Sequence, residues 1–326
     1  MQSPGVQSMI AAIATACGTA QALPSTMNIA LYALVVLIWG STWLALKLQV
    51  GTVPIEVSIA YRFGLASALL FAWLAWRGQW QRPQGPALVR VLGQGLCLFA
   101  FNFVCFMKAS ETLTSGLCAV VFSSASLWNT LLARLLYGRR MTGQTLTGSL
   151  LGISGLLLLF GPELQQGQHA SAPGLLWALA GTLSFSCGNM LSASLQKMGW
   201  QPLQTNAWGM LTGALIMAAY ALLAGLPWRW DMQWTYVGGL LYLAIPGSVI
   251  AITAYLTLVG RLGPEKAAYA TVLFPIIALA VSTWAEGYRW TLAGGAGLLL
   301  VIAGNIWVFR PPRQPALQPK ASGAPS

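Results

Sequence analysis

Ten apolar stretches set the limits on this chain, because each is about long enough to cross a bilayer and the polar segments between them are short. They fall at roughly 29–49, 57–76, 91–108, 114–137, 145–162, 173–195, 205–225, 236–258, 267–285 and 291–309, bordered by Pro, Gly and clusters of charge. About 20 apolar residues, at about 1.5 Å of rise each, span the hydrocarbon core. Of the 326 residues, 56% are hydrophobic and 7% charged, whereas about a quarter of a soluble domain is charged. The predicted fold class is all-α integral membrane, with ten transmembrane helices and no sizeable water-soluble domain.

A net charge of +11 would suit nucleic acid or an acidic partner only if the basic residues formed a patch. They report topology instead. An even number of spans puts both termini on one side. With that side cytoplasmic, Arg77, Arg82, Arg90, Arg139, Arg140, Lys197, Arg261, Lys266, Arg310, Arg313 and Lys320 fall inside, and Lys47, Lys108, Arg229 and Arg289 outside. That is the positive-inside pattern; Arg134, one turn from the inner end of its span, can snorkel there. Residues 1–28 carry no Lys or Arg and are expected to be a disordered extension, or to precede a true start at Met27. The stretch "MIAAIATACGTAQA" imitates a signal sequence, but cleavage there would leave the next span with its N-terminus outside, against the charge bias. Residues 310–326 read as a disordered, basic, cytoplasmic tail. Cys17, Cys97, Cys105, Cys118 and Cys187 show no CxxC or metal-ligand spacing. No metal or cofactor is expected.

Laying residue n on residue n+149 pairs Gly138 with Gly287, Arg140 with Arg289, Thr142 with Thr291, Gly148 with Gly297, Gly155 with Gly304 and Phe160 with Phe309. Ala119 with Ala268, Leu150 with Leu299 and Ile153 with Ile302 share that offset. Glycines and a loop Arg-x-Thr in one register are hard to obtain by chance. The chain therefore divides into two five-helix repeats, residues 29–162 and 173–309. Five is odd, so the second repeat inserts upside down relative to the first. Inverted repeats are how secondary transporters expose a midplane site to each side in turn; two bundles joined only for stability are the plainer alternative. The transporter reading requires a solvated hollow where the halves meet.

Within the spans there is no nucleophile with a base and no ligand set for a metal. The one histidine, His169, lies in a polar loop, and Glu56, Glu111, Glu163, Asp231, Glu265 and Glu286 fall in loops or at span ends. An enzyme is not expected, nor tight proton coupling through a buried carboxylate; facilitated diffusion or loose exchange fits better. Arg62 lies deep in the second span, where an unpartnered charge costs about 2.5–3.5 kcal/mol. It either faces a cavity and attracts a substrate carboxylate, or bonds backbone carbonyls or Glu56. Most tryptophans lie near span boundaries, Trp43 among them, as an interfacial belt predicts. Trp39 and Trp128 sit near mid-span, where an indole N–H needs a partner, so each lines a cavity or packs between helices. Thr42, Asn102, Ser123, Ser124 and Asn189 lie at similar depth, with Tyr242, Tyr255 and Tyr269 in the second half. Bonds between helices are the plain reading of each. Together they describe a neutral, aromatic, hydrogen-bonding cavity, suited to a zwitterion or an uncharged aromatic solute better than to a phosphate. Pro246 and Pro275 each remove a helix hydrogen bond and mark a gating kink or a static bend.

These features carry a family resemblance. "WGSTW" at 39–43, "YRF" at 61–63 and "IPGSVIAITAYLTLVGRLGPEKAAYATVLFPIIALAV" at 245–281 resemble the EamA family of the drug/metabolite transporter (DMT) superfamily. The resemblance covers roughly residues 29–309 and implies a ten-helix bacterial inner-membrane carrier, usually an exporter of amino acids or other small metabolites. "VVFSSASLWNTLLARLLYGRR" at 120–140 is similar to the branch that exports aromatic and other amino acids, the YddG type. The chain departs from the wider family at Ser126, where proline is common, and at Arg139, where glutamate is common; Pro275 keeps the position equivalent to Ser126. A broad-specificity exporter of toxic compounds, or a sensor or scaffold that retains the fold and moves nothing, are the alternatives. Oligomeric state, substrate and coupling ion are not legible.

Overall fold

The computed structural model describes residues 25–137, 143–166, 172–262 and 269–309. Arg139, Arg140, His169, residues 1–24, residues 310–326 and the first copy of the loop Arg-x-Thr repeat lie outside the described residues, as do the side chains of Ser126 and Tyr269; residues 25–28, expected to be disordered, instead open the first helix. Among the described residues the regular structure is helical, with no strand. In chain order the helices are α1 (Ser25–Lys47), α2 (Ile55–Trp76), and α3 (Pro86–Gln94, Gly95–Phe101 and Asn102–Ser110 end to end). Next come α4 (Ser115–Ser123 and Ala125–Tyr137, broken at Ser124), α5 (Gly143–Gln166), α6 (Ala172–Lys197) and α7 (Pro202–Leu223). Last are α8 (Trp234–Tyr242, Leu243–Ile250 and Ala251–Leu262 end to end), α9 (Tyr269–Glu286) and α10 (Leu292–Phe309). Seven of these, α1–α4 and α6–α8, are long and apolar enough to cross a membrane, and the described apolar runs of α5, α9 and α10 are shorter. The chain is a multi-pass membrane protein.

Local chemistry sets the helix ends. Pro86 and Pro202 open α3 and α7 at positions where the missing N–H has no intrahelical role. The Thr114 hydroxyl caps α4 by accepting from Leu117 N. Gly78, at φ 62°, turns the chain out of α2 in a conformation that glycine adopts without strain.

Between helices, backbones approach wherever side chains vanish. A Cβ at Gly155 would lie 2.6 Å from Gly297 O, and one at Gly304 would lie 2.6 Å from Gly148 O. As numbers rise along α5 they fall along α10, so these two helices are antiparallel. Helices α2 and α7 run antiparallel too. Ala221 packs with Val53 and Val57 at one end, and at the other Gln204 Nε2 and Trp208 Nε1 donate to Gln79 O (3.0 Å) and Gln81 O (2.7 Å). The same holds for α4 and α9, where Gly116 faces Leu279 and Ser282 while Phe122 meets Phe274 at 5.8 Å. Helix α1 packs on α8 and α9, and α6 packs on α3 and α4.

An aromatic cluster fills the middle of the bundle. Trp43 lies 5.0 Å from Phe106, 5.4 Å from Phe122 and 6.1 Å from Phe274, centroid to centroid. It is 9% exposed, which corrects its assignment to the interfacial belt. Depth alone located Trp43 near a span end; its face of the helix turns it inward. The kink expected at Pro246 takes the form of a π-helical segment, Leu243–Ile250, and α3 carries a second one, Gly95–Phe101, without a proline. Pro275 lies inside an otherwise unbroken α9.

Candidate functional site

The π segment of α8 gathers the polar groups of α1 and α2. Trp39 Nε1 donates to Gly247 O at 3.2 Å, and its ring lies 5.1 Å from that of Tyr255. Two residues along α1, the Ser41 hydroxyl meets the Tyr242 hydroxyl at 2.6 Å. Thr42 Oγ1 donates to Trp39 O at 2.8 Å, and its methyl would lie 2.9 Å from a Cβ at Gly247. Glycine therefore lets α1 close on α8, and the wider π turn brings the Gly247 carbonyl to the indole.

Arg62 reaches the same segment from α2. It is 7% exposed and donates Nη2 to Ser248 Oγ at 3.3 Å, while Ser248 donates to Leu243 O at 2.8 Å. Its guanidinium carbon sits 4.8 Å from the centre of the Phe63 ring and 4.3 Å from that of Phe103. Among the described residues it makes no ion pair, and its Nε and Nη1 are buried without an acceptor. Neither Glu56 nor a backbone carbonyl takes it. A void about the size of one water molecule adjoins it, lined also by Gln49, Ser58 and Ile59.

The remaining candidates disperse. Asn102 Nδ2 donates to Gly181 O at 2.9 Å and ties α3 to α6. Ser123 and Ser124 donate back within α4, to Val120 O (2.6 Å) and Val121 O (2.7 Å). A second water-sized void, between α4, α5 and α10, touches Ser124 and Asn305, whose Nδ2 donates to Val301 O. Trp128 and Asn189 are half-buried on α4 and α6. Neither of these two voids would admit a solute.

Sequence reasoning missed one ionic contact. Lys47, at the end of α1, meets Glu286, at the end of α9, at 2.7 Å. Glu286 also accepts from Ser115 N (3.0 Å) and from the Ser115 hydroxyl, closing the α4 N-terminus. Nothing local in the sequence links residues 47, 115 and 286. Among the described residues no group of three or more His, Cys, Asp or Glu could hold a metal ion.

The sequence matches the EamA-like transporter family over residues 26–161 and again over 172–310. A protein of Escherichia coli K12 named "Probable amino-acid metabolite efflux pump" is 26% identical over 290 residues, covering 85% of this chain and 94% of that protein. A second from the same organism, "Uncharacterized inner membrane transporter YedA", is 26% identical over 304 residues, covering 91% and 96%. One solved crystal structure superposes with a TM-score of 0.63 at 19% identity, over 87% of this chain and 98% of that one, a likeness of fold.

Proposed function

The chain belongs to the EamA-like transporter family, and from that premise we propose that it exports amino acids or related neutral or zwitterionic metabolites by alternating access. In this reading it has ten transmembrane helices in two inverted repeats, α1–α5 and α6–α10, in a bacterial inner membrane with both termini cytoplasmic. The end of the bundle that carries Lys47 and Glu286 is then the outer end.

The observation that carries the reading is the pattern of helix contacts. Exchange each helix for the one five places along, and α1 on α8 becomes α6 on α3, while α1 on α9 becomes α6 on α4. The pairs α2 with α7, α4 with α9 and α5 with α10 map onto themselves, and each runs antiparallel. Such a bundle has two nearly equivalent ways to open, one at each end. The moving surfaces include the seam where Trp39, Thr42, Tyr242 and Tyr255 meet; Asn102, Ser123, Ser124, Trp128, Asn189 and Tyr269 are proposed as further lining once the halves part, with Pro246 and Pro275 at the bends.

One observation favours a rival: the packed aromatic cluster around Trp43 would suit a sensor or scaffold that binds and moves nothing. Counterflow of the twenty labelled L-amino acids in proteoliposomes separates them. Exchange of at least one supports the carrier; exchange of none, with thermal stabilisation by one, would favour the sensor. Exchange of unrelated organic cations alone would favour the broad exporter.

A further inference from the structure

Two partly satisfied side chains face one small void, and their leftover groups are of opposite kind. Arg62 leaves Nε and Nη1 buried without an acceptor. Gln49 donates Nε2 to Tyr236 O at 2.9 Å and leaves Oε1 buried without a donor. Flipping that amide would only aim its oxygen at another carbonyl. Both residues line the void, and Ser58 between them has its hydroxyl engaged with that of Tyr236 at 2.9 Å.

Among the described residues nothing nearby supplies the missing partners. The two resolved ion pairs commit Glu286 to Lys47 and Glu111 to Lys108. The rings of Phe63 and Phe103 lie against the guanidinium, but a ring offers no acceptor to the N–H groups that radiate in the guanidinium plane. A buried charge with two free donors is costly in a membrane protein and marks a functional site.

The chemistry of the leftovers names a ligand class. The parallel N–H groups of Nε and Nη2, of which Ser248 takes only one of the two on Nη2, match the two oxygens of a carboxylate, and an amide oxygen matches an ammonium. Resting on the transport reading above, we propose that Arg62 and Gln49 form the head-group subsite for a zwitterionic solute, with the carboxylate held side-on by Nε and the second N–H of Nη2 of Arg62 and the ammonium on Oε1 of Gln49. A plain amine leaves the guanidinium unserved and a plain acid leaves the amide unserved. In the closed state the subsite holds no more than a water-sized volume. Gln49 follows Lys47 by two residues and is bonded to the first turns of α8, so parting α1 from α8 at the outer end withdraws Gln49 and admits the head group.

The test starts from an amino acid that the protein exchanges in counterflow and competes it with its two truncated forms. For L-phenylalanine these are phenethylamine and 3-phenylpropanoate. Wild-type protein is expected to bind each at least about tenfold more weakly than the parent. Arg62→Lys should cut the parent's advantage over the amine to less than about threefold and keep its advantage over the acid. Gln49→Met should do the reverse, and is read whether or not Arg62→Lys reaches the membrane. Equal competition by parent and amine in wild type, or unchanged ratios in the variants, overturns the subsite and leaves transport standing. Exchange of no amino acid removes both.

Discussion

At the scale of single residues, Trp39 joins packing to a polar contact. Its ring lies against Tyr255 and its N–H reaches Gly247 O across 208 residues of sequence. Trp39→Phe keeps most of the ring and loses the bond, a change of about 1 kcal/mol or roughly fivefold. The variant is expected to accumulate in the membrane like wild type and to exchange substrate about three- to fivefold more slowly, measured as counterflow at equal protein density. Unaltered exchange would assign the contact to packing alone. Trp39, Thr42, Tyr242 and Tyr255 are legible because depth along a span can be counted. Gln49 is not, since a polar residue at a span end is ordinary and its partner Tyr236 lies 187 residues away. Trp43 shows the same limit. In a helix that is apolar all round, no periodicity says which face turns inward.

At the scale of elements, the repeated glycines were visible as a register, and the structure shows what the register serves. Gly148 and Gly297 are counterparts at an offset of 149, as are Gly155 and Gly304. They meet crosswise: Gly148 with Gly304 and Gly155 with Gly297, each pair summing to 452, as two antiparallel copies must. Gly155→Ala would put a methyl 2.6 Å from one backbone oxygen and 2.7 Å from Val301 N, neither able to rotate away. A loss of about 1–3 kcal/mol is expected, read as a lower melting temperature in detergent, whereas Gly295→Ala meets open space and should be neutral. Equal melting of the two variants would show that α5 and α10 are not locked there. The π segments were legible only by half. Subtracting 149 from Leu243–Ile250 gives 94–101, which overlaps Gly95–Phe101, yet only the second copy announces itself with a proline.

At the scale of the whole molecule, one ion pair ties the end of the bundle where α1, α4 and α9 meet. At the offset of 149 the counterparts of Lys47 and Glu286 are Gln196 and Tyr137, so the repeat does not place this pair of residues a second time. The Glu286 side chain is 8% exposed and joins both Lys47 and the α4 N-terminus, tying the second half to two helices of the first. In the proposed orientation, opening outward has to break that tie. Replacing Glu286 by Gln keeps its shape and its bond to Ser115 but removes the charge pairing, worth about 1–2 kcal/mol in a partly buried setting and so roughly five- to thirtyfold in the closed-to-open ratio. Cys118, fully buried one turn inside Ser115, reports on that opening. With the other cysteines replaced, a membrane-impermeant maleimide added from outside should label Cys118 about five- to thirtyfold faster in Glu286→Gln than in wild type. Glu111→Gln, which breaks the exposed pair with Lys108, should leave the rate unchanged. Equal rates in Glu286→Gln and wild type would make the contact a static tie, and labelling only from the cytoplasmic face would reverse the orientation. Acceleration in Glu286→Gln alone would mean that the Lys47–Glu286 pair holds this end of the bundle shut and so biases which side the empty carrier faces.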